Sequence, residues 1–385
     1  MSEALRVSLE ACTERSEVEP LWRELEARAQ ARIFTSWLWI GTWLELLPAD
    51  LKPQLLIARQ GKRPVGLAFI VPSHNHIFRF IPTRCWRLHK TGVAALDELT
   101  IEYNGMLVER DNSAVISRAM ISFVLANTER PCIDVKLGDA NMEAIAKQAQ
   151  PGFLAHSIAK PSYVVDLDKV RSTGLAALSA NTRARLRRSL ASYGKLGTVE
   201  VAQADSLALA RQYFEALLSL HARSWARRGL DSAFSSNASV IDFHRRFIDA
   251  AFDADAVQLL RVTAADAVIG YLYHLVYRGR IIYYQAGFDY ELLPRSNLPG
   301  MVCHWLAIEH GARQGLLQYD FLAGHNQCKA SLATHLEPQA WCVFRRDTPI
   351  NRMDAWLRER WRDGRVSEGR KTQASPSATG AALRP

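Results

Sequence analysis

Residues 257–329 constrain the fold more than any other part of the 385-residue chain. Val257–Ala264 is an apolar run that ends in the turn Ala265-Asp266. Val268–Tyr277 is rich in β-branched and aromatic residues and ends at Arg278-Gly279, and Ile281–Phe288 follows at once. Short turns between runs of this composition make antiparallel neighbours. Pro294-Arg295-Ser296-Asn297-Leu298-Pro299-Gly300 then opens a helix over Met301–Gln314, which Gly315 stops, and Leu316–Leu322 reads as a last strand. A loop that delivers backbone N–H groups and a helix N-terminus directly after a central strand is a ready anion site. Arg295, Ser296, Asn297 and Gly300, with Gln285 on the strand before them, are therefore candidate ligands for the pyrophosphate of a nucleotide-bearing donor.

Five blocks stand in one order across roughly residues 175–335: NTRARLRRSLASYGKLGTVEV from Asn181, LHARSWARRGLDSAF from Leu220, FHRRFIDAAF from Phe243, YYQAGFDYE from Tyr283 and YDFLAGHNQCK from Tyr319. This set resembles the GNAT acyltransferase superfamily, and within it the FemAB-like and CelD-like branch, often named for cellulose or exopolysaccharide biosynthesis. The resemblance implies a mixed α/β (α+β) chain of two tandem GNAT-like domains, with mostly antiparallel central sheets flanked by helices. It implies transfer of an acyl group from acyl-CoA (acetyl-CoA), or from acyl carrier protein, to an amine or hydroxyl, with a sugar or cell-envelope precursor as a candidate acceptor. The donor is then a substrate, and no cofactor stays bound. Two rivals remain open: an aminoacyl-tRNA-dependent FemX-type transferase and a non-catalytic scaffold of a polysaccharide-synthesis complex. His325-Asn326-Gln327-Cys328 stand where the family usually has an acidic residue and a tyrosine, which is the best support for the scaffold.

The formal net charge of +9 and a pI near 9.3 suit anionic partners such as CoA, acyl carrier protein, tRNA or a phospholipid surface. Arg183, Arg185, Arg187, Arg188 and Lys195 spread round a helix rather than along one stripe, and a second basic excess runs over 345–371. No recognition-helix pattern, zinc finger or RNP-type strand points to sequence-specific nucleic-acid binding. The six cysteines (Cys12, Cys85, Cys132, Cys303, Cys328, Cys342) form no C-x-x-C pair, so they read as free thiols and no metal site is expected. Met1–Glu10 has no apolar signal core, and no apolar run is long enough to span a bilayer, so the expected location is cytoplasmic.

The first half repeats the same plan in weaker form. Leu5–Ala11 reads as a strand, Glu17–Arg28 as a helix, Ser36–Leu47 as a tryptophan-rich helix, and Leu55–Arg59 with Val65–Val71 as a hairpin. Leu99–Val108 reads as a strand, Asn112 or Ser113 caps a helix to about Asn127, Cys132–Leu137 is a strand, and Tyr163–Leu167 closes the half. The expected division is 1–170, a degenerate domain without a donor loop; 171–350, the donor-binding domain; and 351–385, a terminal helix and a disordered tail. Met353, Trp356 and Leu357 share a face of that helix, which suits docking on its own domain or, second, a membrane surface.

Acyl transfer to an amine needs a proton acceptor, oxyanion stabilisation and a proton for the leaving thiolate. Asp320, at the end of the last strand, is the candidate base; the alternative is a carboxylate that pins the adjacent turn. Lys329 is the candidate ligand for an acceptor carboxylate or donor phosphate, and His325 has a pKa suited to proton transfer. Strand alternation sends one of Tyr283 and Tyr284 to the cleft and one to the core, and Tyr284 is taken as the candidate acid. His221, four residues before Trp225 in an apolar helix, reads as a core or interface histidine.

Overall fold

The computed structural model describes residues 4–11, 14–78, 80–148, 151–324, 326–358 and 360; Cys12, His325 and the 361–385 tail lie outside them. Apolar alternation and tight turns give the first half strands β1 (Leu5–Ala11), β2 (Gln54–Gln60), β3 (Arg63–Ile77), β4 (Ile81–Leu88), β5 (Leu107–Val108), β6 (Cys132–Gly138) and β7 (Phe153–Ala159). There follow β8 (Ser162–Asp166), β9 (Val199–Gln203), β10 (Val257–Ala264), β11 (Ala267–Tyr277), β12 (Arg280–Phe288), β13 (Gln318–Asp320), β14 (His335–Glu337) and β15 (Ala340–Arg346). They form two mixed, mostly antiparallel sheets flanked by helices. The first runs β1-β2-β3-β4-β6-β15-β7, with β5 added on β3; the second runs β9-β10-β11-β12-β13-β8-β14.

Read in that direction, the two sheets have the same plan. In each, the fourth and fifth strands are parallel, β4 with β6 and β12 with β13, and a helix crosses between them. In each, the sixth strand is antiparallel to both neighbours. The sixth strands are exchanged. β8, made from the end of the first half, sits between β13 and β14, and β15, from the end of the second, sits between β6 and β7. The strand expected to close the first half at Tyr163–Leu167 thus belongs to the second sheet. β7 pairs with β15 on its inner edge, and β8 pairs instead with β13 and β14.

The halves also share a core. Trp22, Phe34 and Trp39 of the first pack with Phe214, Phe243, Phe247 and Tyr273 of the second. The Trp39 ring lies 4.7 Å from both Phe34 and Phe243. Ser36 caps the tryptophan helix, Trp37–Glu45, through the Trp39 N–H, and the Trp39 indole packs on the Ala238–Ala251 helix. Burying each such ring contributes roughly 2–3 kcal/mol, so this seam is a main source of stability.

Three expected elements differ. Leu99–Val108 is irregular except for β5, because Asn104 turns inward to bond the end of β4 and Tyr103 adopts a left-handed φ of 50°. The last strand of the 257–322 run is Gln318–Asp320 rather than Leu316–Leu322, because Leu322 turns the chain with φ 62°. The terminal helix, 349–358, docks by its polar face. Asn351 and Asp354 are buried, Asp354 accepting from Arg345, Arg358 and the Phe78 N–H, while Met353 and Trp356 are about half exposed. No helix among the described residues is long and apolar enough to cross a membrane.

Removing β15 tests the exchange. A chain ending at Gln339 loses the buried Ala340, Cys342 and Phe344 from the first sheet. It should melt roughly 10 °C or more lower by circular dichroism. Proteolysis should then begin in 4–159. An unchanged melt would mean that β15 adds little to the first sheet.

Candidate functional site

The second sheet forks. β12 and β13 pair only from Arg280–Ile282 to Gln318–Asp320; β13 then ends while β12 runs on to Phe288. Beyond Ile282 that side of β12 pairs with no strand among the described residues and leaves a free edge. Tyr284 is the extra residue of a bulge opposite Tyr273 and His274, and bulges of this kind re-aim side chains beside sites. The far wall of the fork is the Pro299–Arg313 helix. Its N-cap, Leu298, has φ 48° and makes no side-chain cap bond, and Pro299 brings no N–H. The first intrahelical bond is from the Val302 N–H to the Leu298 carbonyl, so the N–H groups of Gly300 and Met301 have no acceptor among the described residues.

Between these walls lies a cleft of about 430 Å³. Tyr283, Gln285, Gly287 and Phe288 line it from β12, Gly300, Met301 and His304 from the helix, Trp225 and Arg228 from the end of the Leu207–Ala226 helix region, and Cys328 and Lys329 from the far side. Gly287 lets the Leu207–Ala226 helix press directly on β12, because a Cβ there would stand 2.6 Å from the Leu217 carbonyl oxygen. That approach puts His221 against the strand. Its Nδ1 donates to the Ala286 carbonyl at 3.0 Å, so in the neutral ring Nε2 accepts from the Ser232 hydroxyl at 3.0 Å. Burial, chiefly, lowers the His221 pKa.

Of the sequence candidates, the structure brings Gln285, Gly300 and Lys329 into this cleft. Gln285 folds its side-chain oxygen back onto the Ala286 N–H at 3.1 Å. The Lys329 ammonium donates to the carbonyls of Phe321 (2.6 Å) and Ala323 (3.1 Å); burial lowers its pKa, with Glu102 and Asp320 acting the other way. Arg295, Ser296 and Asn297 form a short 3₁₀ turn whose backbone packs on the arginine-rich helix, Ala180–Gly194, and Ser296 and Asn297 are not part of the cleft wall.

Asp320 and Tyr284 lie elsewhere. Asp320 is fully buried and faces the seam between the halves. It accepts from Tyr103 (2.6 Å), Arg280 (2.8 Å), the Leu322 N–H (2.8 Å) and the Ser162 hydroxyl. With these donors it pins the turn that ends β13 and has no open side for an acceptor. Tyr284 projects from the other face of β12, where its hydroxyl donates to the Thr100 carbonyl (3.0 Å) and its ring packs 4.6 Å from His244. Alternation sends Tyr283, not Tyr284, to the cleft, and burial raises the Tyr283 pKa.

Sequence reasoning missed His304 altogether and gave His221 a core role. The available signal was spacing. Residues 300 and 304 are one helical turn apart, so the helix face that presents Gly300 also presents His304. In the first sheet the matching fork is filled by the chain itself. Asn104 donates to the Leu88 carbonyl (2.8 Å) and pairs with His89 (2.9 Å) at the end of β4.

Residues 180–330 match the family described as acetyltransferase (GNAT) domain. The whole fold is similar to that of FemX: TM-score 0.53 at 12% identity, covering 86% of this chain and 96% of that one. It is also similar to the C-terminal domain of a protein assigned as a lysylphosphatidylglycerol synthetase from Agrobacterium fabrum, with TM-score 0.50, 11% identity and coverage of 89% and 97%. L-PGS from Bacillus licheniformis gives TM-score 0.50, 10% identity and coverage of 91% and 97%. No curated protein matches the sequence.

Two predictions follow from the buried groups. Asp320→Ala strands Arg280, Tyr103 and Ser162 and should cost about 3–5 kcal/mol. A lower melting temperature with turnover per folded molecule retained is the expected result. Loss of turnover without loss of stability in Asp320→Asn would instead place the carboxylate in the chemistry. Separately, burial holds His89 near 4 and His244 and His304 near 3, against an ordinary 6.5. The unfolded chain therefore binds more protons below pH 6.5, and the stability from these neutral rings, complete above that pH, is lost as pH falls toward 4. Urea unfolding at pH 5 should give a stability lower than at pH 7.5 by on the order of a few kcal/mol. Equal values would mean that the rings charge without unfolding.

Proposed function

We propose that the cleft is an acyl-transfer site that takes acyl-CoA as donor and passes the acyl group to an amine or hydroxyl. The observation that carries this is the fork itself: a free strand edge facing an uncapped helix N-terminus across one cleft. A pantetheine arm carries amides, and an extended arm can pair with the free edge of β12 as an added strand does. The CoA phosphates then meet the N–H groups of Gly300 and Met301, the positive end of the helix dipole and Arg228. The match to a GNAT domain over 180–330 supports the same reaction class. The thioester comes to lie near Tyr283, Lys329 and His304, where the acceptor attacks its carbonyl, the C–S bond breaks and CoA leaves as the thiol. Acyl carrier protein presents the same arm and is the related donor. A sugar amine or cell-envelope precursor is the proposed acceptor. The filled fork of the first sheet supports a single donor site, in the second.

A second reading, aminoacyl-tRNA as donor, is favoured by a different observation. Arg183, Arg185, Arg187 and Arg188 form no ion pair among the described residues, and they lie on the helix that packs against the Arg295–Asn297 turn. The similarity to the fold of FemX supports considering it.

Acetyl-CoA, long-chain acyl-CoA and charged tRNA are compared by thermal shift. A true donor at a hundredfold excess over its Kd stabilises by about 2.7 kcal/mol. A response to tRNA alone, falling steeply with salt, would replace the first reading with the second. Gly300→Val should weaken acetyl-CoA binding roughly tenfold, about 1.4 kcal/mol. A Cβ at Gly300 meets the Phe288 ring at 3.1 Å and drives it into the cleft. Unchanged affinity would place the donor elsewhere.

A further inference from the structure

We propose that His304 is the general base of this cleft, and that a buried chain through Tyr319, His274 and Gln258 fixes its tautomer so that a bare Nε2 faces the acceptor. The proposal rests on the acyl-transfer reading above.

The Gln258 amide nitrogen donates to the side-chain oxygens of Gln203 (3.0 Å) and Gln314 (2.9 Å). The atom it turns toward His274 Nδ1, at 3.0 Å, is therefore its carbonyl oxygen, which only accepts. His274 Nδ1 must carry the proton. His274 is fully buried and its pKa lies well below the ordinary value, so the ring is neutral and its Nε2 is bare. That nitrogen accepts from the Tyr319 hydroxyl at 3.0 Å. With its one proton committed there, Tyr319 offers a lone pair to His304 Nδ1, also at 3.0 Å. His304 Nδ1 is thus the protonated nitrogen. Burial and the charge of Lys329 keep this ring neutral as well, so Nε2 holds an unshared pair.

Nε2 has no partner among the described residues, yet it is not one of the sealed-off buried polar atoms, and His304 lines the cleft. It is the ring atom left to face the cavity. The groups around the ring are Tyr283 and Phe288 from β12 (4.5 and 5.6 Å between rings), Tyr319 from β13, Phe321 just after it, and Lys329 from the Gln327–Leu332 helix. His221, the other described histidine of the cleft, cannot take this role, because both of its nitrogens are engaged. Neutral histidine in water favours the Nε2–H form, so the chain selects the less common tautomer, the one that presents a base.

The step balances without a further reactant. As the acceptor nitrogen bonds to the thioester carbon, its proton passes to His304 Nε2. As the C–S bond breaks, the same proton goes to the leaving sulfur, and the ring returns to its starting form. Tyr319, His274 and Gln258 are positioning residues that act through His304.

The test joins a spectroscopic and a kinetic readout on the full chain. Nitrogen-15 histidine labelling, with His304 assigned by its loss in His304→Asn, should show His304 as Nδ1–H at pH 7.5, shifting toward Nε2–H in Tyr319→Phe. An Nε2–H signal in the wild type overturns the proposal. Thiol release from acetyl-CoA, to water and to glucosamine, should fall about a hundredfold in His304→Asn, with acetyl-CoA affinity within about twofold of wild type. Tyr319→Phe should show a smaller loss with affinity kept. Normal release by His304→Asn overturns the base role and leaves the donor reading intact. Failure of the wild type to bind acetyl-CoA sinks the donor reading, and the tautomer signal still decides whether the chain holds His304 as described.

Discussion

One carboxylate organises the molecule. Asp320 terminates β13, accepts from the Leu322 N–H that turns the chain away, and binds Arg280 from β12, Tyr103 from the first half and Ser162 at the start of β8. Arg280 in turn binds Glu337 at 2.6 Å, and Arg32 of the first half reaches the same carboxylate at 3.3 Å. A buried charge is tolerated only where its lone pairs are filled, and here they are filled from three separate segments. β13 ends where Asp320 stands, so β12 loses its partner and the fork opens. Asp320, a candidate base from sequence, thus stands at the strand end from which the fork opens.

The two sheets show how one plan yields an open site in one copy and a closed one in the other. Both have a parallel fourth and fifth strand that can part at their carboxyl ends, the usual place for a ligand in such sheets. In the second, helix and strand leave a gap with free N–H groups on one side and a strand edge on the other. In the first, 99–106 folds into the corresponding place, Asn104 satisfies the end of β4, and Ile101 and Tyr103 are buried. A few inward-turned residues separate an open cleft from a filled one.

Local features were legible in the sequence. The hairpins of 257–288 follow from β-branched runs and tight turns, and the helix after Gly300 from its Pro, Gly and apolar spacing, because such signals need only neighbouring residues. What was not legible depends on partners distant in the chain. Nothing in Ser162–Asp166 or Ala340–Arg346 states which sheet it joins, since both are short apolar strands with the same period. The position of Asp320 at a strand end was readable, but its orientation depends on Arg280 and Tyr103. Alternation separated Tyr283 from Tyr284 without saying which face was the cleft. The setting of His304 depends on Tyr319, which lies between it and His274, and these two residues come from two other strands. The apolar residues of the terminal helix suggest an inward apolar face, whereas Asp354 docks the helix through Arg345 and the Phe78 N–H, neither of which a local pattern reveals.

The exchanged strands have a consequence for the order in which the protein is made. At ribosomal rates of about 5–20 residues per second, the stretch between β7 and β15 takes on the order of tens of seconds to emerge. During that time β6 and β7 have been synthesised, but the strand that belongs between them has not. Two unpaired edges, each a template for wrong pairing with another chain, must stay apart and unoccupied. The second half meanwhile can take up β8, which is already present, and finish its own sheet. The half that leaves the ribosome first is therefore the half whose sheet is completed last.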